Sequence, residues 1–294
     1  MSETYEKNRK SIKNAQKRAD KIATIAIWAV AALVIGVLIA IMGNILIKGL
    51  PTVFSSGFLT HAPIDGGREG GIYPFIVGTF SVTFLAVLIA IPFGIGTAYY
   101  LAEYTRGGIV TRIIRFATES LAGIPSIVYG LFGFIFFVIT LDLGKSILAG
   151  GLTLAIMVLP TIIRTSEEAI RAVPDIYRKV SFSLGSTKWQ TIRRAVTPSA
   201  IQGIANGVIL SVGRCVSETA PVILTAGSVL QLADSITAPT RTMAAHFYML
   251  AMEGVGMDNA YGTASVLIIL IFIINIGANT AVDRFISKKT KGAR

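Results

Sequence analysis

The sequence predicts an all-α membrane protein with six transmembrane helices and both termini in the cytoplasm, and three observations predict it. Six apolar segments, at about 22–47, 72–102, 116–141, 146–171, 199–227 and 260–283, each reach or exceed the roughly 20 residues that cross a bilayer. Only 15% of the 294 residues are charged and the mean hydropathy is +0.67, whereas a soluble domain averages roughly 25% charged residues. The basic residues are also segregated. With the N-terminus inside, 22 Lys and Arg fall in tails and inner loops, 4 (Lys48, Arg68, Lys145, Arg241) fall in outer loops, and Arg214 is left within a span. That asymmetry follows the positive-inside rule. It accounts for the net charge of +11 without invoking nucleic acid.

In chain order, residues 1–21 form a basic cytoplasmic tail carrying Lys7, Arg9, Lys10, Lys13, Lys17, Arg18 and Lys21. This tail is either solvated or lies as an amphipathic helix on anionic lipid. The first apolar run is too long for a signal-peptide core and has no small-residue cleavage site, so it reads as a retained span. The membrane domain covers 22–283, and 284–294 is a second basic cytoplasmic tail. All six segments must be helical, because backbone in lipid satisfies its own hydrogen bonds. Pro92, Gly94 and Gly96 in the second, and Gly123, Pro125, Gly130 and Gly133 in the third, predict kinks and close helix approach. The outer loops 48–71 and 228–259 are long enough to meet an extracytoplasmic partner, and serve equally as plain connectors. There is no GxxxxGK[ST] loop and no HExxH motif, and the two histidines, His61 and His246, are both outside. Neither an ATPase site nor a catalytic metal is expected in this chain. The single cysteine, Cys215, has no intramolecular disulfide partner.

The polar interlude 174–197 reads PDIYRKVSFSLGSTKWQTIRRAVT. Pro174-Asp175 is a helix start, Ile176, Val180 and Leu184 share one face, and Gly185 is placed to end that helix. Ser186 or Thr187 can cap a second helix with Trp189, Ile192 and Val196 as its apolar stripe, and Pro198 adjoins the next span. Two short helices at the membrane surface could enter a groove on a partner, or could simply connect two spans.

The span that follows carries two charges. Arg214 lies about fifteen residues, or roughly 22 Å, into the segment. Glu218 follows one turn later on the same face, with Ser211 and Thr225 extending a polar stripe. An ionisable group in a span is expensive and suggests function. An arginine fork fits an oxyanion, and Glu218 would balance it when the site is empty. A structural ion pair between helices is the competing reading. Arg164, near the inner end of the fourth span, is either a second anion contact or a snorkelling residue. Glu119, at the inner end of the third, reads as structural.

These stretches resemble a known family. The interlude resembles the EAA…G…LP coupling loop of ABC-importer permeases, with Gly185 and Pro198 in register, although Lys179, Val180 and Ser181 stand where the family has Glu-Ala-Ala. The stretch SVGRCVSETAPVILTAG at 211–227 resembles the signature of phosphate-importer permeases, and 70–104 and 121–133 resemble that family's second and third spans. The match is closer to the PstA type than to the PstC type. The resemblance implies a type I ABC-importer permease fold in the cell membrane. It implies a heterodimer with a PstC-like permease, a PstB-like ATPase dimer that binds ATP and Mg, and an extracytoplasmic PstS-like phosphate-binding protein. No cofactor would be held by this chain. Arg214, Glu218, Arg164, Ser211 and Thr219 become candidates for the substrate path. Lys179, Gly185, Ser186, Lys188, Trp189 and Pro198 become candidates for contact with the ATPase. A self-sufficient anion channel or ion-coupled carrier is the alternative that the Arg–Glu pair alone supports.

Overall fold

The computed structural model describes residues 2–105 and 107–291, with side chains for Lys17 and for residues 20–105 and 107–284. Arg106, most of the basic N-terminal side chains and the 285–294 tail, all counted in the charge asymmetry, therefore lie outside the described side chains.

Helix α1 spans Ser2–Val53, so the basic tail and the first span are one helix. Its residues 2–48 form a unit of their own, with exposed apolar side chains such as Ile25, Trp28 and Leu33. The remaining chain is a second unit. Strands β1 (Pro63–Ile64) and β2 (Glu69–Gly70) pair antiparallel in a small hairpin. Helix α2 (Tyr73–Tyr99) continues into a π-helical segment, Tyr100–Tyr104. The kink expected at Pro92 is not a break, since α2 runs through it, and the irregularity comes later at the π segment. Helix α5 (Ile147–Arg171) is capped by the Ser146 hydroxyl, which accepts the Ala149 N–H. It packs along α2, and their shared core includes Val82, Ala86, Ala90, Leu154, Val158 and Ile162.

Two expected spans are broken. The third is α3 (Ile109–Ala122) and α4 (Ser126–Gly133), the latter prolonged by a π-helical segment Phe134–Thr140, with a 105° bend between them. Pro125 forces the turn, because it disfavours helix at the residue before it. The Tyr129 hydroxyl staples the corner by donating to the Leu121 carbonyl at 2.7 Å. The fifth segment, expected over 199–227, begins earlier and stops sooner. Helix α7 (Lys188–Thr191) passes through a π-helical segment Ile192–Val196 into α8 (Thr197–Ser217). Glu218 is then extended, and a short α9 (Ala220–Thr225) follows with Pro221 in its first turn. Pro221 cannot donate a hydrogen bond back into α8, so the helix ends just ahead of it. The second interlude helix is thus the overhanging start of the fifth span. Only α6 (Asp175–Ser183) is a free-standing surface helix.

The 228–259 connection is partly helical, as α10 (Met243–Glu253), and α11 (Met257–Lys291) follows it. Among the described residues, five helices are long and apolar enough to cross a membrane, or six if the bent α3–α4 pair counts as one span.

Candidate functional site

Arg214 occupies the last turn of α8, and Glu218 is the residue at which that helix ends. The one hydrogen bond between them runs from Arg214 Nε to Glu218 Oε1 at 3.5 Å, with the Arg side chain 37% and the Glu side chain 15% exposed. Among the described residues, no hydrogen bond engages the two terminal nitrogens of Arg214. The energetics do not favour a purely structural role. A charge within a span costs up to about 2.5–3.5 kcal/mol, while one long, partly exposed ion pair returns at most about 1 kcal/mol. The other broken span lies against the α9 side of this break. Helix α4 packs on α9, and a Cβ at Gly130 would strike the Pro221 backbone, so glycine permits that approach. Two interrupted helices meeting around an arginine with free donors is an arrangement that can receive an oxyanion in place of water.

The remaining path candidates divide. Thr219 is half-buried in the connection between α8 and α9. Ser211 is fully buried, and its hydroxyl donates to the Gly207 carbonyl at 2.8 Å. Thr225 is also fully buried, bonded to the Pro221 carbonyl. The break at Glu218 separates these two threonine and serine positions, so the expected stripe is not continuous. Arg164 is 68% exposed and pairs with Glu168 at 3.1 Å. It lines a cleft of about 290 Å³ with Arg115, Glu119, Glu167 and Arg171, away from the α8–α9 break.

At the end carrying α6, the interlude matches its expected register. Gly185 has φ +78° and ends α6 in the left-handed conformation, with the Ser186 N–H bonded to Ser181 and the Gly185 N–H to Phe182. Thr187 rather than Ser186 caps the next helix, in a reciprocal arrangement with Gln190. Lys188 places its Nζ 4.7 Å from the Tyr104 ring centre, Pro198 sits in the first turn of α8, and Lys179 is exposed. Ile176, Val180, Leu184 and Trp189 are exposed, so the apolar face of this knob has no cover among the described residues.

Sequence reasoning missed the joint beneath that knob. Arg178 donates from Nε and Nη2 to one Glu103 oxygen at 3.0 and 2.7 Å. It also donates to the Ile170 carbonyl at 2.9 Å and the Val173 carbonyl at 2.6 Å. Glu103 is 8% and Arg178 16% exposed. Nearby, Glu167 accepts from Arg115 at 2.7 Å and from Arg171 at 2.8 Å, and Arg171 also donates to the Leu101 carbonyl. The one signal in the sequence was an acidic residue, Glu103, at the edge of an apolar run.

At the opposite end, Arg241 donates twice to the Ser228 carbonyl, at 2.9 and 2.6 Å, and lies over Phe75. His246 is fully buried against Phe75, with Nδ1 at 3.4 Å from Arg241. Burial, and then the neighbouring guanidinium, pull its pKa down to about 3. The imidazole is therefore neutral and accepts at Nδ1.

Known proteins share this plan. The chain is 33% identical over 279 residues to a probable ABC transporter permease protein, YqgI, of Bacillus subtilis, covering 90% of this chain and 95% of that protein. It is 35% identical over 260 residues to the phosphate transport system permease protein PstA 1 of Mycobacterium tuberculosis, covering 86% of this chain and 84% of that one. In three dimensions it is similar to a chain of the bacterial alginate ABC transporter complex (TM-score 0.64, 14% identity, covering 88% of this chain and 95% of that chain). It is similar also to a chain of the MetNI methionine ABC transporter in an inward-facing conformation (TM-score 0.59, 18% identity, covering 72% and 94%). The family described as binding-protein-dependent transport system inner membrane component matches residues 90–291, and this chain, with its broken third and fifth spans and its surface helix, belongs to that family of ABC-importer permease subunits.

Proposed function

We propose that the chain is the PstA-like permease subunit of an ATP-driven inorganic phosphate importer. It would sit in the cell membrane with both termini and α6 in the cytoplasm. A PstC-like permease would complete the path and a PstB-like ATPase dimer would bind ATP and Mg and receive the α6–α7 knob. A PstS-like binding protein would deliver phosphate to the opposite face. The observation that carries the reading is Arg214, whose terminal donors are unengaged at the break between α8 and α9. Relatives named as phosphate transport permeases support the choice of anion. Phosphate would pass Arg214 through charge-assisted hydrogen bonds, displacing the long contact to Glu218 rather than adding to it. No covalent step occurs in this chain.

The test is ATP-dependent phosphate uptake in vesicles holding the full complex, wild type against Arg214→Gln. Uptake should collapse while assembly and ATP hydrolysis persist. Unchanged uptake would make the pair scaffolding and move the path elsewhere. Uptake that persists without ATP under an imposed ion gradient would instead identify a self-sufficient anion carrier.

A further inference from the structure

The Glu103–Arg178 joint has no part in holding an anion, and it is too elaborate for a surface contact. Helix α6 itself has no buried residue. Its ties to the body of the protein run through Arg178 and the hydroxyl contact of Ser181 with Thr191 at 2.9 Å. Arg178 reaches two different spans at once. Its carboxylate partner, Glu103, belongs to the π-helical end of α2, and its carbonyl partners, Ile170 and Val173, close the end of α5. Helices α2 and α5 form the most extensively packed pair in the fold. A surface helix joined through one buried guanidinium to both members of that pair cannot be displaced without moving them or breaking four hydrogen bonds. Breaking a buried pair leaves an uncompensated charge, which is costly.

From this we infer that Arg178 and Glu103 are positioning residues for energy coupling. They form a rigid joint that stays closed through the cycle and makes α2 and α5 follow α6. The inference rests on the permease reading above. Lys179, the next residue, is exposed and points to a division of labour in which one side chain of the turn faces the partner and its neighbour faces the spans.

The test uses the assembled transporter in proteoliposomes and reads phosphate moved per ATP hydrolysed. In Glu103→Cys/Arg178→Cys the ratio should fall about tenfold, the upper range for residues that modulate coupling. Basal hydrolysis and assembly should persist. Joining the two thiols with a short bifunctional maleimide should restore the ratio to within about twofold of wild type, because a covalent link replaces the ion pair. A merely stabilising contact would not make the ratio depend on the cross-link. A reduced variant that couples like wild type overturns the inference, and so does a cross-linked one that stays uncoupled. If the double variant fails to assemble, Glu103→Gln keeps the side chain's size and one acceptor, and it should lower the ratio about threefold; equality with wild type overturns the inference. Failure of the wild-type complex to take up phosphate with ATP would count against the permease reading instead.

Discussion

Arginine–carboxylate pairs occur at both the α8–α9 break and the foot of α6, and they are built to opposite specifications. At the foot of α6, one carboxylate oxygen takes two short donors, and the same guanidinium also satisfies two backbone carbonyls. At the break, one contact of 3.5 Å leaves most of the arginine's donors unspent. The first arrangement is saturated and holds helices together. The second is unsaturated and available to something else. The lesson is that an intramembrane charge is assigned to structure or to transport by how many of its donors are already occupied.

The largest effect that would break this comparison is in Arg214→Gln. Phosphate uptake should drop by about 100-fold, the scale of losing one well-placed charged donor, with the thermal midpoint of the purified complex nearly unchanged. A fall of many degrees would place Arg214 with the saturated pairs. Next comes Glu167→Ala, which strands Arg115 and Arg171 and should destabilise the chain by about 1–2 kcal/mol, discounted because both arginines are near half-exposed. Thermal unfolding in detergent reads that directly. Arg164→Gln sharpens the contrast from the exposed side. Its pair with Glu168 should contribute under about 1 kcal/mol, so an altered uptake without altered stability would make it a contact for the anion.

A pH effect should follow from His246. Its folded pKa, about 3, lies below the ordinary histidine value of 6.5. The unfolded chain therefore binds a proton first as pH falls. Stability is fully present above about pH 6.5 and declines between there and about pH 3, by at most about 1.4 kcal/mol per pH unit. Thermal midpoints at pH 7 and pH 5 should differ in wild type, and the difference should shrink in His246→Asn. A comparably small effect is expected for Gly185→Ala. An alanine at φ +78° should cost about 1 kcal/mol and blunt the ATPase response before it affects stability of the spans.

Much of this was legible in advance, for identifiable reasons. The span at Ile147–Arg171 was bounded almost to the residue, because a largely apolar run from Ile147 to Ile163 passes into a charged end carrying Arg164, Glu167, Glu168 and Arg171. The α6 start at Asp175 and its stop at Gly185 follow from local chemistry alone. The break at Glu218 was hidden because Ala220 to Ala226 keeps the window apolar, although Pro221 was the available sign. The joint could not be read at all. Glu103 and Arg178 are 75 positions apart, and each looked like one more charge at the edge of a span. Pairing over that distance is a property of how α2 packs beside α5, which no local pattern records.

The continuous helix from Lys188 to Ser217 has a mechanical consequence. Its 30 residues make a rod of about 45 Å, with Trp189 at one end and Arg214 near the other. Such a rod is a lever arm. A tilt of about 5° around its middle carries the Arg214 backbone by about 1.5 Å, enough to make or lose a hydrogen bond, without any relay of side chains between. It also sets a phase. Inserting one residue into α8 ahead of Arg214 would turn the guanidinium by about 100° while leaving the knob where it was. On the proposed role of Arg214, phosphate uptake by that insertion variant should then be lost with every contacting residue still in place.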